Sequence, residues 1–256
     1  MSALRLLAVG WQMNMKMLSQ SAFDGLLGVL WPLIFATTAF LMFRVGHDPR
    51  SLVYASFGAS VMGIWSATAV AASSALQRQR WFGTLELVVL APVHFSLVLL
   101  PITVAMSTIG IYSMFATLLW GRLLFGIPLH FVHPLLFVLA VPVTIVSIGM
   151  LGFLLSVTFV RYRTAWALGN MIEYPVWLLC GFLVPLSLLP TWVHPIAWVL
   201  APTWGMRGIR AAASGGAPLQ DVGVCALLGL GYGVLGALIV NRLLRAAKVR
   251  ATLSLT

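Results

Sequence analysis

Long apolar stretches, each about as long as a membrane-spanning helix, follow one another along almost the whole of this sequence. Hydrophobic residues make up 61% of the 256 residues, and the mean hydropathy is +1.03. A soluble domain of this size could not bury so much apolar surface, whereas a helix of about 20 apolar residues crosses the hydrocarbon core of a bilayer. The sequence therefore predicts an all-α polytopic membrane protein, since helices satisfy their own backbone hydrogen bonds in lipid.

Polar turns and prolines divide the apolar sequence into six predicted transmembrane helices. We place them at residues 26–43, 52–75, 95–119, 134–160, 165–186 and 222–243. Residues 121–133 are predicted to form the loop between the third and fourth helices. Together these elements form a single transmembrane domain over residues 1–256.

Residues 3–20 have the pattern of an amphipathic helix. Leu4, Leu7, Trp11 and Met15 recur at spacings of three and four, with polar residues such as Lys16 on the other face. Such a helix lies in the headgroup plane of the membrane. The alternative is that the segment is the first turn of the first transmembrane helix.

Four prolines interrupt the sequence before the last transmembrane helix, at Pro185, Pro190, Pro195 and Pro202. No uninterrupted span fits between them, so residues 187–213 are predicted to form two short half-inserted helices on the outer face. Irregular backbone at that depth has to be shielded by protein.

Residues 77–86 lie between two long apolar segments and contain three charged residues, Arg78, Arg80 and Glu86. Charge this concentrated belongs in water at a membrane face. Thr84 could cap a short helix with Glu86 in its first turn, and Gly83 permits a tight reversal. The alternative is an ordinary cytoplasmic loop whose arginines only set the orientation of the chain.

The distribution of basic residues predicts that both termini are cytoplasmic, with ten basic residues inside and five outside. The inner group is Arg5, Lys16, Arg78, Arg80, Arg161, Arg163, Arg242, Arg245, Lys248 and Arg250, and the outer group is Arg44, Arg50, Arg122, Arg207 and Arg210. This bias accounts for the net charge of +10 without a nucleic-acid partner.

Glu173 is the acidic residue that falls deep inside a predicted transmembrane helix. Trp166, Asn170, Glu173 and Trp177 share one helical face, which makes this stripe a candidate translocation path or subunit-facing surface. A carboxylate at that depth should face protein or a wet cavity. The alternative is a protonated or hydrogen-bonded Glu173 that locks neighbouring helices together.

The residues required for nucleotide binding and catalysis are missing from the sequence. No Gly-x-x-x-x-Gly-Lys-Ser/Thr motif occurs, and the only lysines are Lys16 and Lys248. The pair His130 and His133 is more simply read as solvated than as a metal site, so we predict no metal, no cofactor and no catalytic residues on this chain.

Two motifs resemble those of ABC-2 type transporter permeases, of the bacterial multidrug and daunorubicin efflux kind. The first is Arg78-x-Arg80-x-x-Gly83-Thr84-Leu85-Glu86 followed by Pro92, and it departs from the family pattern at Gln79 and Trp81. The second is Gly181-Phe182-x-x-Pro185-x-x-x-Leu189-Pro190-x-Trp192 followed by Pro202 and Arg210. The resemblance implies that residues 77–90 are a coupling loop whose Arg78, Arg80, Gly83, Thr84, Leu85 and Glu86 contact an ATPase.

The resemblance further implies a permease subunit of an ATP-driven exporter in the bacterial cytoplasmic membrane. ATP and Mg would be bound by a separate cytoplasmic ABC ATPase present in two copies, and a second permease chain, identical or related, would complete the pathway in membrane lipid. The sparse ionic groups of the spans favour an amphipathic substrate, such as a drug-like compound or a lipid. The alternatives are an ion-coupled secondary transporter with Glu173 as proton carrier, or a membrane-embedded lipid-modifying enzyme.

Overall fold

The computed structural model describes residues 3–19, 22–44, 49–70, 83, 95–129, 131–159 and 165–250. Within these residues the chain forms nine α-helices, one π-helical turn and two 3-10 turns, and no β-strand. The helices are α1 (Ala3–Ser19), α2 (Ala22–Arg44), α3 (Pro49–Trp65), α4 (Phe95–Phe125), α5 (Pro134–Phe159), α6 (Ala165–Leu179), α7 (His194–Val199), α8 (Ala201–Ser214) and α9 (Pro218–Arg250). The π-helical turn is Ser66–Val70, and the 3-10 turns are Leu186–Leu188 and Thr191–Val193. The predicted all-α class is therefore confirmed for the described residues.

Four of the described helical segments are long and apolar enough to cross a membrane. They are Ser51–Ala69, Thr103–Phe125, Pro134–Thr158 and Pro218–Val240, and a shorter apolar helix covers Leu30–Arg44. The first four segments correspond to the second, third, fourth and sixth predicted transmembrane helices. The first and fifth predicted helices are present as α2 and α6, so that six membrane crossings remain a prediction.

Several predicted helix ends were wrong, and the structure gives the reasons. The fifth predicted helix was extended to residue 186, but α6 ends at Leu179 because Gly181 adopts the left-handed backbone conformation (φ +73°). The third was ended at residue 119, but α4 continues to Phe125 and stops before Gly126, whose φ is +62°. Both predicted ends were taken from hydropathy alone, one beyond Gly181 and the other before Gly126, whereas each helix ends next to its glycine.

Close packing of α5, α8 and α9 forms one side of the bundle. Gly229 of α9 faces Ser147 of α5, where a Cβ atom would lie only 2.9 Å from the Ser147 Cα. At the same contact Ser147 Oγ donates to the Cys225 carbonyl at 3.0 Å. Small residues allow such approach in lipid, where packing and interhelical hydrogen bonds drive association.

The other side of the bundle is formed by α2, α3 and α4, and α1 packs against the first half of α4. Trp11 Nε1 donates to Thr108 Oγ1 at 3.0 Å across the contact between α1 and α4. On α1 itself Val9 and Met13 are exposed. The α1 helix occupies the segment that was predicted to be interfacial, and its location in the headgroup plane remains a prediction.

The segment between α6 and α9 enters the bundle and returns. Tyr232 of α9 marks the turning point, since its hydroxyl accepts from the Ala201 N–H at 3.1 Å and donates to the Val199 carbonyl. Tyr232 lies 14 residues beyond Pro218, which is about 21 Å along the helix axis. From that depth α8 runs back, antiparallel to α9, to the turn at Gly215. The placement of residues 187–213 as half-inserted helices on the outer face remains a prediction.

Candidate functional site

The structure brings three segments together around Arg210: the start of α3, the chain after α6, and α8. The Arg210 guanidinium donates from Nη1 to the Gly181 carbonyl at 2.9 Å and from Nη2 to the Phe182 carbonyl at 3.0 Å. A longer contact of 3.4 Å joins Nη2 to the Tyr54 carbonyl. The guanidinium carbon lies 3.2 Å from the centre of the Tyr54 ring, which is a cation–π contact. We call Tyr54, Gly181, Phe182 and Arg210 the Arg210 cluster.

The end of α6 has the local structure that this cluster requires. The Phe182 N–H donates to the Trp177 carbonyl at 3.1 Å and the Gly181 N–H donates to the Leu178 carbonyl at 3.2 Å. These two bonds form a Schellman motif, which needs a residue in the left-handed region and so favours glycine at position 181. The Gly181 carbonyl then accepts from both Arg210 and the Tyr54 hydroxyl, at 2.8 Å for the latter.

Electrostatics favour a cation at this position. The carboxyl end of a helix carries partial negative charge, and the Gly181 and Phe182 carbonyls just beyond the end of α6 accept from the Arg210 guanidinium. Burial lowers the pKa of Arg210 to about 10, which is still well above neutral pH. Arg210 is therefore charged in the folded protein and binds the end of α6 to α8.

The five residues of the predicted outer-face signature are only partly brought together. Gly181, Pro185 and Arg210 line one cavity. Pro185 and Pro190 each precede a 3-10 turn, and Pro202 is the second residue of α8. Proline is favoured at such positions because the first N–H groups of a helix have no partner within it.

Glu173 of α6 is buried, and its carboxylate accepts a hydrogen bond from Ser66 Oγ. Ser66 is the first residue of the π-helical turn Ser66–Val70, which continues α3. Such turns interrupt an α-helix and are frequent at functional sites. A charge near the bilayer centre costs about 2.5–3.5 kcal/mol on insertion scales, which is why such groups face neighbouring helices. The contact therefore links α6 to the last turn before residues 71–94.

The rest of the predicted stripe is described in part. The ring of Trp177 is buried and packs edge-on against Phe35 of α2, with centroids 5.0 Å apart. Its indole N–H has no hydrogen-bond partner among the described residues. Asn170 is half-buried, and the Trp166 side chain lies outside the described part of the chain. Glu173 and Trp177 thus face neighbouring helices of the same chain.

Most of the predicted coupling loop lies outside the described residues. Gly83 is described and has φ +66°, the left-handed region that a tight reversal uses. The other residues assigned to the ATPase contact, which remain a prediction, are Arg78, Arg80, Thr84, Leu85 and Glu86.

The Arg210 cluster lies at the opposite end of α3 from Val70, the last described residue before the segment that contains the predicted coupling loop. Tyr54 lies in the first turns of α3, whose 17 residues are followed by the five residues of the π-helical turn. Helical rise separates Tyr54 from Val70 by about 24 Å. Val70 therefore lies at the end of α3 and its π-helical turn that is away from Arg210, and the contact between Ser66 and Glu173 is nearer to Val70 than to the Arg210 cluster.

The fold and these two polar contacts define a helical membrane protein with buried polar links between its helices. The sequence profile of the ABC-2 type transporter family matches residues 5–213, and the chain belongs to that family. The membrane component of this family is a permease subunit of an ABC transporter and is generally non-catalytic. A comparison with curated proteins found no match.

Sequence reasoning missed two partners of the site, Tyr54 and Ser66. Tyr54 follows a polar turn, so its aromatic ring would be read as an interfacial anchor. Ser66 lies in a helix rich in small residues and carries no signal that separates it from Ser56 or Ser60. Both residues gain their roles from groups more than 100 positions away, the Gly181 carbonyl for Tyr54 and the Glu173 side chain for Ser66.

Proposed function

We propose that this chain is the permease subunit of an exporter driven by a separate cytoplasmic ABC ATPase, and that it moves an amphipathic substrate. The single observation that carries the proposal is the hydrogen bond between Ser66 and Glu173. It joins the π-helical turn that precedes the predicted coupling loop to the carboxylate on the predicted translocation path. Family membership supports the permease assignment.

The proposed mechanism is mechanical. Closure of two ATPase subunits on ATP and Mg displaces residues 77–90 of each permease chain, and the displacement reaches the π-helical turn Ser66–Val70. A turn with i→i+5 hydrogen bonding can convert to α-helix by a one-residue shift, which moves Ser66 relative to Glu173. Loss or gain of that hydrogen bond then changes how α6 packs against α3, and the pathway switches access.

An amphipathic substrate fits the chemistry around Glu173. Trp65 and Trp177 are large buried aromatic side chains on the two helices that the hydrogen bond joins. A carboxylate on helices that also carry aromatic side chains suits a drug-like compound or a lipid with an apolar body and a polar or cationic group. A second permease chain, identical or related, would supply the facing wall of the path.

The proposed location is the bacterial cytoplasmic membrane, with both termini cytoplasmic. Of the basic residues assigned to the outer side, Arg44, Arg122 and Arg210 all belong to the end where α2, α4 and α8 finish. The bonds that tie this end together include Trp120 Nε1 to Thr37 Oγ1 at 2.9 Å and His133 N to the Ala212 carbonyl at 2.9 Å. The grouping supports the charge-bias argument for orientation.

The test is coupled ATPase activity and substrate transport after co-expression with the partner ATPase. Ser66→Ala and Glu173→Leu should lower transport more than tenfold while the ATPase still co-purifies, because each removes one partner of the Ser66–Glu173 hydrogen bond and leaves the predicted docking loop intact. Glu86→Arg should instead reduce co-purification. Ser60→Ala, which removes a buried α3 hydroxyl bonded only to the Ser56 carbonyl one turn away, is the matched control and should transport normally. Normal transport by both link variants would refute the mechanism.

A second candidate function is ion-coupled transport, which the burial of Glu173 favours. A buried carboxyl that changes partner during transport can carry a proton. Proteoliposomes with a proton gradient and no ATPase distinguish the two. Transport under those conditions, lost in Glu173→Gln, would replace the ATP-driven proposal.

A further inference from the structure

A cavity of about 320 Å³ lies at the Arg210 end, between the start of α3, the chain after α6, α7 and α8. Its polar lining comes from Tyr54, His194, Arg207 and Arg210. This volume is at the lower end of the range for small-molecule sites, and it accommodates a small polar head group. The motifs in the sequence predicted no ligand for any of the residues that line this cavity.

The charge around this cavity is positive. Arg207 and Arg210 are three residues apart on α8 and so share one face. Among the described residues, the carboxylate that pairs with either of them is Asp221, whose Oδ1 is 3.3 Å from Arg207 Nη2. Arg210 is bonded to carbonyl groups and to a ring, which are dipoles and not counter-charges. The cavity therefore has two guanidinium groups and one neighbouring carboxylate. The resulting net positive charge would attract an anion.

Arg207 is the residue that can reach a ligand. Its side chain is 49% exposed, compared with 12% for Asp221. The Trp204 ring lies 4.8 Å from its guanidinium carbon and supports it from one side. A guanidinium has five N–H groups in a fixed fork, so the ion pair with Asp221 leaves donors for an oxyanion. Arg210 Nη1 and Nη2, in contrast, bind the chain just after α6, and the buried Arg210 Nε has no hydrogen-bond partner among the described residues.

The rim of the cavity is apolar. Pro185, Leu186 and Trp198 contribute to it, and Trp198 is 52% exposed. His194 lies between them, with Nε2 3.0 Å from the Leu186 carbonyl. Two guanidinium groups beside exposed apolar side chains match a molecule with an anionic head and an apolar body.

We propose that this cavity binds an oxyanion group, phosphate or carboxylate, with Arg207 as the contacting residue and Arg210 as the source of additional positive potential. The group could belong to a lipid head or to a free anion, and both share the chemistry that the site recognises. The inference does not depend on ATP coupling, so it stands or falls separately from the proposed function.

The experiment uses the full chain, purified in a neutral detergent and titrated by calorimetry with three probes. These are dihexanoyl phosphatidylglycerol, dihexanoyl phosphatidylcholine and inorganic phosphate. Phosphatidylglycerol should bind saturably and more tightly than phosphatidylcholine, whose choline opposes the guanidinium groups. Arg207→Gln should weaken the binding about tenfold, the loss expected for one charge-assisted hydrogen bond. Arg207→Lys should restore part of it.

Asp221→Asn should change the binding affinity in the opposite direction from Arg207→Gln. The Asp221 carboxylate competes with the ligand for Arg207, so its removal should tighten binding. A purely structural role of the ion pair would instead make Arg207→Gln and Asp221→Asn change binding in the same direction. Arg122→Gln, at the same end of the bundle on an exposed turn of α4, is the matched control and should bind as the parent chain does.

The phosphate arm identifies the source of the anion. Saturation by phosphate at concentrations similar to those of phosphatidylglycerol indicates recognition of the free anion, and saturation by the lipid alone indicates a lipid head. The proposal is overturned if neither probe saturates the parent chain, if Arg207→Gln and Arg122→Gln bind alike, or if Asp221→Asn weakens binding.

Discussion

Arg210 contacts backbone oxygen atoms and an aromatic ring, and no carboxylate pairs with it among the described residues. A single side chain thereby binds the end of one helix to the start of another. The arrangement depends on Gly181, whose left-handed conformation ends α6 and whose carbonyl, like that of Phe182, accepts from the guanidinium. Arg210 therefore stabilises the packing of α3, α6 and α8 against one another.

We expect Arg210→Met to destabilise the protein by about 2 kcal/mol, because it leaves the buried Phe182 carbonyl without its donor and removes the cation–π contact. Tyr54→Phe should cost about 1 kcal/mol, since the ring remains and Gly181 keeps Arg210 as a donor. Thermal unfolding in one detergent measures both variants. The exposed Arg122→Met should shift stability by no more than about 0.5 kcal/mol. A larger loss in Tyr54→Phe than in Arg210→Met would contradict this account.

At the scale of elements, the contact between α5 and α9 shows how a small residue sets the distance between two helices. Gly229 faces the Ser147 backbone, whereas Gly231, two residues further along α9, has no heavy atom within 4 Å of a Cβ position. The two glycines have the same backbone conformation class and differ only in what they face. They form a natural pair for testing the packing.

Gly229→Ala should destabilise the protein by about 1–3 kcal/mol, because the added methyl group forces α5 and α9 apart or displaces Ser147. Gly231→Ala should leave stability unchanged or raise it by up to about 1 kcal/mol, since alanine is the better helix former. Thermal unfolding of the two variants side by side provides the measurement. Equal destabilisation by both would show that the cost comes from the helix and not from the contact.

At the scale of the whole molecule, the bundle has two distinct ends. The turns after α4 and α8 lie at the Arg210 end, whereas α9 continues for 33 residues from Pro218 to Arg250. Arg242 is 24 residues beyond Pro218, about 36 Å along the helix axis, which exceeds the thickness of the hydrocarbon core. Arg122, in the last turn of α4, and Arg242 of α9 should therefore face different compartments.

Single cysteines placed by Arg122→Cys and Arg242→Cys should react with a membrane-impermeant maleimide from opposite sides. We expect the first to react in intact cells and the second only after the membrane is opened. The native Cys180 and Cys225 are buried, which keeps background labelling low, and the parent chain serves as the control. Labelling of both positions from one side would refute the proposed orientation and, with it, the cytoplasmic placement of residues 77–90.

Hydropathy and two motifs were sufficient to predict the helical class and the family, because both depend on composition and on residues close in the chain. Helix ends were predictable only where a local signal was used. Gly181 and Gly126 terminate α6 and α4, and reading them as terminators would have corrected both boundaries.

The partners of the buried polar groups could not be predicted. Glu173 alone indicated that some group must meet a carboxylate inside the bundle, but it did not say that Ser66 would do so. Arg210 belonged to a motif, yet its bonds to Gly181 and Phe182 and its position over Tyr54 exist only after α3, α6 and α8 have packed.

The amino-acid sequence by itself determined that the chain would form apolar helices, where most of them would begin, and which family it belongs to, since these follow from backbone hydrogen bonding in lipid and from local motifs. Only the tertiary structure decided which polar groups meet. Those contacts join residues far apart in the chain, and their geometry is set by the close packing of helices rather than by any short stretch of sequence.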